Sequence, residues 1–166
     1  KSIDQKINAL ALFLKGNILF EKADYGAAAS NYAKFSQFNF NSEDEIFATK
    51  ALANYNIAYC NFKEKNYATA ATYFETTIQQ SNTLNSTNKR IIPDAFLRNA
   101  DCLFMVKNYD RAIFHYDEVI NNDWQGAEYA LVQKSVINGL QGNYTEKVTT
   151  LEFLNNKYKN NSKDLL

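Results

Sequence analysis

Apolar residues recur along this chain at helical intervals. Phe47, Ala51, Tyr55, Ala58, Tyr59 and Phe62 follow one another at steps of 4, 4, 3, 1 and 3, and Phe96, Ala100, Leu103 and Phe104 continue the theme. A strand would alternate sides at every residue, whereas these offsets gather side chains on one face of an α-helix. The pattern also repeats on a longer scale. Asp24-Tyr25, Asn66-Tyr67, Asn108-Tyr109 and Asn143-Tyr144 recur at spacings of 42, 42 and 35 residues. Nine residues before each Tyr stands a small residue, Gly16, Ala58, Ala100 or Ser135. Three, four and seven residues after the first three tyrosines come Ala28, Ala70 and Ala112, then Ala29, Ala71 and Ile113, then Tyr32, Phe74 and Tyr116. The fourth copy keeps Tyr144, Val148 and Leu151 but carries Lys147 in place of the Ala, as an edge copy of a repeat array can.

Each copy therefore predicts two helices, A and B, joined by a short polar turn. The predicted helices lie near 3–22, 25–38, 43–64, 67–80, 93–106, 109–121, 125–140 and 144–158, with the final residues starting a ninth. The Asp or Asn ahead of each repeated Tyr suits a cap for helix B. Ser42 and Glu45 form a capping-box pattern opening the second helix A, and Pro93 suits the first turn of the third. Asn, Ser and Thr cluster around residues 36–41 and 81–90, where the copies connect. In the first of these stretches Phe35, Phe38 and Phe40 either form a docking loop or cap the core beneath it.

Composition narrows the class. With 46% hydrophobic and 14% aromatic residues the 166-residue chain can bury a core, and one Pro with five Gly leaves too little punctuation for a turn-rich β fold. Eighteen Lys plus Arg balance eighteen Asp plus Glu, which argues against a dedicated nucleic-acid or membrane-surface binder. The apolar run Ala9 to Leu14 is far short of the roughly 20 residues that cross a bilayer. The chain opens on Lys1 without a signal-peptide pattern, the expectation for a processed product or an excised piece.

Little catalytic chemistry is visible. Cys60 and Cys102 have no partner at metal-ligand spacing, so no metal is expected and both read as buried free thiols. His115, the sole histidine, lacks a recognisable nucleophile nearby and reads as an ordinary surface or boundary residue. No phosphate-binding Gly-rich loop or Gly-x-Ser-x-Gly elbow occurs, so neither a cofactor nor an enzyme activity is expected.

With the turns Lys107-Asn108-Tyr109-Asp110-Arg111-Ala112 and Gly142-Asn143-Tyr144, the repeat resembles the tetratricopeptide repeat (TPR) family across essentially the whole chain. The resemblance implies an all-α superhelix of antiparallel helix pairs: one domain over 1–166, with units near 9–42, 51–84, 93–126 and 128–161, part of a longer array. The long connections and the ending Leu151 to Tyr158 are similar to large bacterial cell-envelope TPR proteins, which favours the periplasm or cell envelope over the cytoplasm.

In that family the A helices line a groove that holds a partner peptide, and the chain is expected to act as a non-catalytic interaction scaffold. Carried onto this sequence, the groove positions include Phe13, Asn17, Phe20, Tyr55, Asn56, Tyr59, Phe62, Arg98, Asp101, Met105 and Gln133, with Asp94, Tyr129, Val132, Val136 and Leu140 at further equivalent places. The family's carboxylate clamp is matched at Asn17, Asn56 and Arg98, but Phe13 and Asp94 stand where it needs lysines. The partner is expected to be protein, with self-association through the repeat ends as a further mode. The alternatives are a structural spacer without a groove ligand and an RNA-binding helical repeat.

Overall fold

A computed structural model describes residues 3–38, 49–84 and 88–158. Eight α-helices follow in order among them: α1 (Ile3–Glu21), α2 (Tyr25–Ser36), α3 (Lys50–Lys63), α4 (Tyr67–Gln79), α5 (Ile91–Met105), α6 (Tyr109–Asn121), α7 (Ala127–Leu140) and α8 (Tyr144–Tyr158). Two short 3₁₀ turns, Ser81–Thr83 and Asn88–Arg90, lie between α4 and α5. The fold is all-α, as the 3.6-residue pattern predicts.

One helix starts later than its sequence pattern suggests. Thr49 is extended, at φ −118° and ψ 165°, and its Oγ1 accepts a hydrogen bond from the Leu52 N–H at 3.1 Å. A residue so placed caps a helix from outside it, so α3 cannot run unbroken from 43. The Ser42–Glu45 box, Phe40 and the ninth helix lie outside the described residues. Pro93 falls in the first turn of α5, where its missing N–H leaves no helical bond unmade.

The turn inside each helix pair is built differently from the expected side-chain cap. Asp24 does cap α2, its Oδ1 accepting from the Ala27 N–H at 3.2 Å. Asn66 and Asn108 make no such bond, and the Asn66 amide donates instead to Glu64 at 3.3 Å. Common to all four turns is a left-handed residue at the helix C-terminus: Ala23, Lys65 and Lys107 at φ 61°, 63° and 61°, and Gly142 at 78°. Around it two backbone bonds close back on helix A. In the second pair these are Asn66 N–H to Asn61 C=O at 2.8 Å and Lys65 N–H to Phe62 C=O at 3.0 Å. This is a Schellman motif, and it satisfies carbonyls that the end of the helix would otherwise leave open.

The chain divides into two compact units, residues 1–95 and 96–166. In the first, α1 packs on α2, α2 on α3, and α3 on α4. Ala9, Phe13, Ala28, Tyr32, Phe35, Ala53, Ile57 and Cys60 form one buried cluster, with Phe38 packed against it, so the two described aromatics of that loop close the core. Gly16 shows why the small position matters: a Cβ there would stand 2.6 Å from the Tyr32 ring. In the second unit α6 packs on α7 and α7 on α8, around Leu103, Ala112, Tyr116, Val119, Leu131 and Ile137.

Candidate functional site

Two groups of helix-A side chains carry the chemistry, one in each unit. In the first unit Tyr55 and Tyr59 project from successive turns of α3, their rings edge to face with centroids 5.0 Å apart. Both hydroxyls donate to Asp94 Oδ2, Tyr55 at 2.8 Å. Burial pushes the Tyr55 hydroxyl well above its ordinary pKa, and the neighbouring Tyr59 and Asp94 push it further. Tyr55 therefore stays protonated and keeps donating. Phe62 extends this aromatic face, edge to face with Tyr59 at 6.3 Å and Tyr67 at 5.7 Å. On α1, Phe20 packs on Tyr25 at 5.2 Å, and Asn17 Oδ1 accepts from the Tyr32 hydroxyl at 2.8 Å. Asn56 is half-buried on α3.

Phe13 does not belong to this surface. It is only 4% exposed, its ring set edge to face against Tyr32 and Phe35 at 5.3 and 5.2 Å. The expected groove residue is a core residue, because its position turns toward α2 and aromatic packing holds it there.

The second unit centres on Asp101, which is 8% exposed. Its Oδ1 accepts from the Tyr116 hydroxyl at 2.8 Å and the Tyr129 hydroxyl at 3.0 Å, and its Oδ2 pairs with Arg98 at 2.7 Å. A carboxylate this enclosed is tolerable only when paired and hydrogen-bonded, and here both oxygens are engaged. Burial and the Asp101 charge push the Tyr129 hydroxyl up to about 12.

Outward from this network, α7 presents Tyr129, Val132, Val136 and Leu140, all exposed, along one stripe. Gln133 is half-buried beside them, and Met105 at the end of α5 is exposed. Their spacing of 3, 4 and 4 marks the stripe in the sequence, but only the structure shows that no described residue covers it.

Other candidate chemistry is accounted for. A carboxylate clamp is incompatible with the places of Phe13, in the core, and Asp94, an anion bound by two tyrosines. Cys60 and Cys102 are free and buried, and burial pushes each thiol up to about 12. His115 is not a surface residue: it is 2% exposed, with Nε2 3.2 Å from the Asn99 amide nitrogen and its ring packed against Phe96 and Phe114. Residues 113 and 116 flank it on the apolar face of α6, and the rotation of the helix carries it inside. Among the described residues no group of three His, Cys, Asp or Glu side chains could hold a metal ion, and no helix is long and apolar enough to cross a membrane.

Comparison with known proteins agrees with the repeat. Residues 52–81, the second helix pair, match the family model described as tetratricopeptide repeat. No curated protein matches the sequence. Among solved structures, MamA is similar at a TM-score of 0.72 and 18% identity over 94% of this chain and 81% of MamA. PilF of Pseudomonas aeruginosa matches at 0.63 and 21% identity over 92% of this chain and 62% of PilF. The apo form of RapI matches at 0.70 and 12% identity over 94% of this chain and 57% of RapI. The chain thus spans less than two thirds of the length of PilF and RapI. At these identities the likeness is one of fold, the TPR-type repeat of helix pairs.

Proposed function

Since the chain is a tetratricopeptide-repeat protein, we propose that it is a non-catalytic protein-interaction module whose A helices hold a segment of a partner protein. The observation that carries this is the stripe of Tyr129, Val132, Val136 and Leu140 on α7, at family groove positions and exposed. Leaving four large apolar side chains in water on one helix face is costly, and covering them favours association. The partner segment would supply apolar anchors at helical or extended spacing to meet the α7 stripe. The long connections and the Leu151–Tyr158 ending support a bacterial cell-envelope setting, which fractionation of the source cells would test.

The deciding experiment compares proteins captured by the wild-type chain and by a Val132→Glu/Val136→Glu variant whose circular dichroism and melting are unchanged. Loss of a specific captured protein, restored by Val132→Ile/Val136→Ile, supports groove binding. An identical captured set would favour a spacer role, in which these faces hold no ligand.

A further inference from the structure

A second apolar stripe lies on α1, where the family's groove register covers Leu10 and Leu14 but not Ile3, Ile7 or Ile18. Ile3, Ile7, Leu10, Leu14 and Ile18 follow at steps of 4, 3, 4 and 4, which at 100° per residue keeps them within a narrow sector of the helix. All but the half-buried Leu10 are exposed, Ile3 at 76% and Ile18 at 54%. The steps are close to a coiled-coil seam, the pattern one helix offers to another.

A preceding helix B of the repeat is a poor occupant for this face. In the second pair, the surface that receives α2 contains Ala53, Ile57 and Cys60. The residues 42 positions earlier on α1 are Ala11, Lys15 and Ile18. Lys15 is exposed where Ile57 is buried, and stacking a helix in that register would enclose an unpaired ammonium. The stripe is rotated away from Lys15, toward Ile7 and Leu14.

We propose that this stripe pairs with the same stripe of a second copy, α1 against α1 in antiparallel orientation. The pattern is its own complement about a midpoint between Leu10 and Ala11: Ile3 meets the partner's Ile18, and Ile7 meets the partner's Leu14. A two-fold interface of this isologous kind is the commonest form of self-association. The charges select the orientation. Glu21 lies in line with the stripe, so a parallel pair would bring two carboxylates together across the seam. The antiparallel pair instead sets each Glu21 beside the partner's helix N-terminus, where an anion is favoured. Asp4 and Lys15 share one flank of α1, and antiparallel pairing brings opposite charges together there on both sides.

Sedimentation equilibrium of the 166-residue chain tests this. The wild type is expected to dimerise, Ile7→Glu/Leu14→Glu to weaken the dimer at least tenfold, and Val132→Glu/Val136→Glu to leave it intact. Because the changed side chains are exposed, the fold should persist, and circular dichroism checks it. Geometry has a separate test: on oxidation, Leu10→Cys should cross-link to a dimer while Ile18→Cys alone should not. A wild-type monomer at several hundred micromolar, a dimer indifferent to Ile7→Glu/Leu14→Glu, or efficient cross-linking through Ile18→Cys alone would each overturn the proposal.

Discussion

The Tyr116 hydroxyl donates to Asp101 Oδ1 at 2.8 Å, and fifteen residues likewise separate Tyr32 from Asn17, whose Oδ1 accepts at 2.8 Å. In both helix pairs a tyrosine of helix B is tied to a polar residue in the middle of helix A. The second pair fills the same two places with Phe74 and Tyr59, ring against ring at 5.4 Å. The tie recurs in the first three helix pairs with three chemistries: a charged hydrogen bond, a neutral one and an aromatic contact.

These ties should differ in strength. Hydrogen bonds to charged groups contribute about 1.5–3 kcal/mol and neutral ones about 0.5–1.5. Tyr116→Phe is therefore expected to lower the unfolding free energy more than Tyr32→Phe. Urea melts of the two variants check the order.

Alkali should dissolve the Asp101 network. Burial first, and then the Asp101 carboxylate, raise Tyr116 far above the ordinary tyrosine value of about 10, and Tyr129 to about 12. A folded-state value above the unfolded one contributes stability that is full below about pH 10 and is lost as pH rises through the folded value. Thermal melts are expected to hold from pH 8 to 10 and fall above it. Tyrosinate absorbance should lag that of the unfolded chain, and Asp101→Asn should shrink the lag.

Gly16→Ala is expected to destabilise despite the better helix propensity of alanine, about 1 kcal/mol in isolation. The new Cβ would stand 2.6 Å from a Tyr32 ring already held by Asn17 and Phe13. Overpacking of this kind costs about 1–3 kcal/mol. A melting midpoint at or above wild type would show that Tyr32 can move aside.

The turns offer the opposite sign. Lys65 and Lys107 hold φ at 63° and 61°, a conformation that costs an L-residue about 1–2 kcal/mol and glycine almost nothing. After the added flexibility of the unfolded glycine chain, Lys65→Gly and Lys107→Gly should each stabilise by about 0.5–1 kcal/mol. Gly142→Ala should do the reverse. Denaturant midpoints measure all three.

Cys60 and Cys102 should resist alkylation. With each thiol raised to about 12, almost no thiolate forms at pH 8, and burial blocks access. Iodoacetamide is expected to label neither in the native protein and both in urea. Native labelling at the rate of a free peptide thiol would mean that the helix pairs open readily.

The places where sequence reasoning fell short have a common cause. Asn66 and Asn108 have the residue type of a helix cap, yet their turns rest on the backbone angle of the preceding lysine, which no side-chain pattern announces. Phe13 and Asn17 occupy neighbouring groove positions by register, and only the rings of Tyr32 and Phe35 decide that one is core and the other partly open. His115 has polar composition but a buried place, set by the packing of α6 against Phe96 and Asn99. Asp94 gives no sign in the sequence that two tyrosines 35 and 39 residues earlier bind it.

By itself the sequence determined that the chain is all-α and roughly where most of its described helices lie, because helical periodicity and the small residue at each crossing are local and recur. Tertiary structure alone decided which apolar faces stay uncovered and which polar groups are already satisfied. Covering a side chain takes neighbours distant in sequence, and Ile18 and Cys60 stand at equivalent places in their repeats, yet one is 54% exposed and the other fully buried.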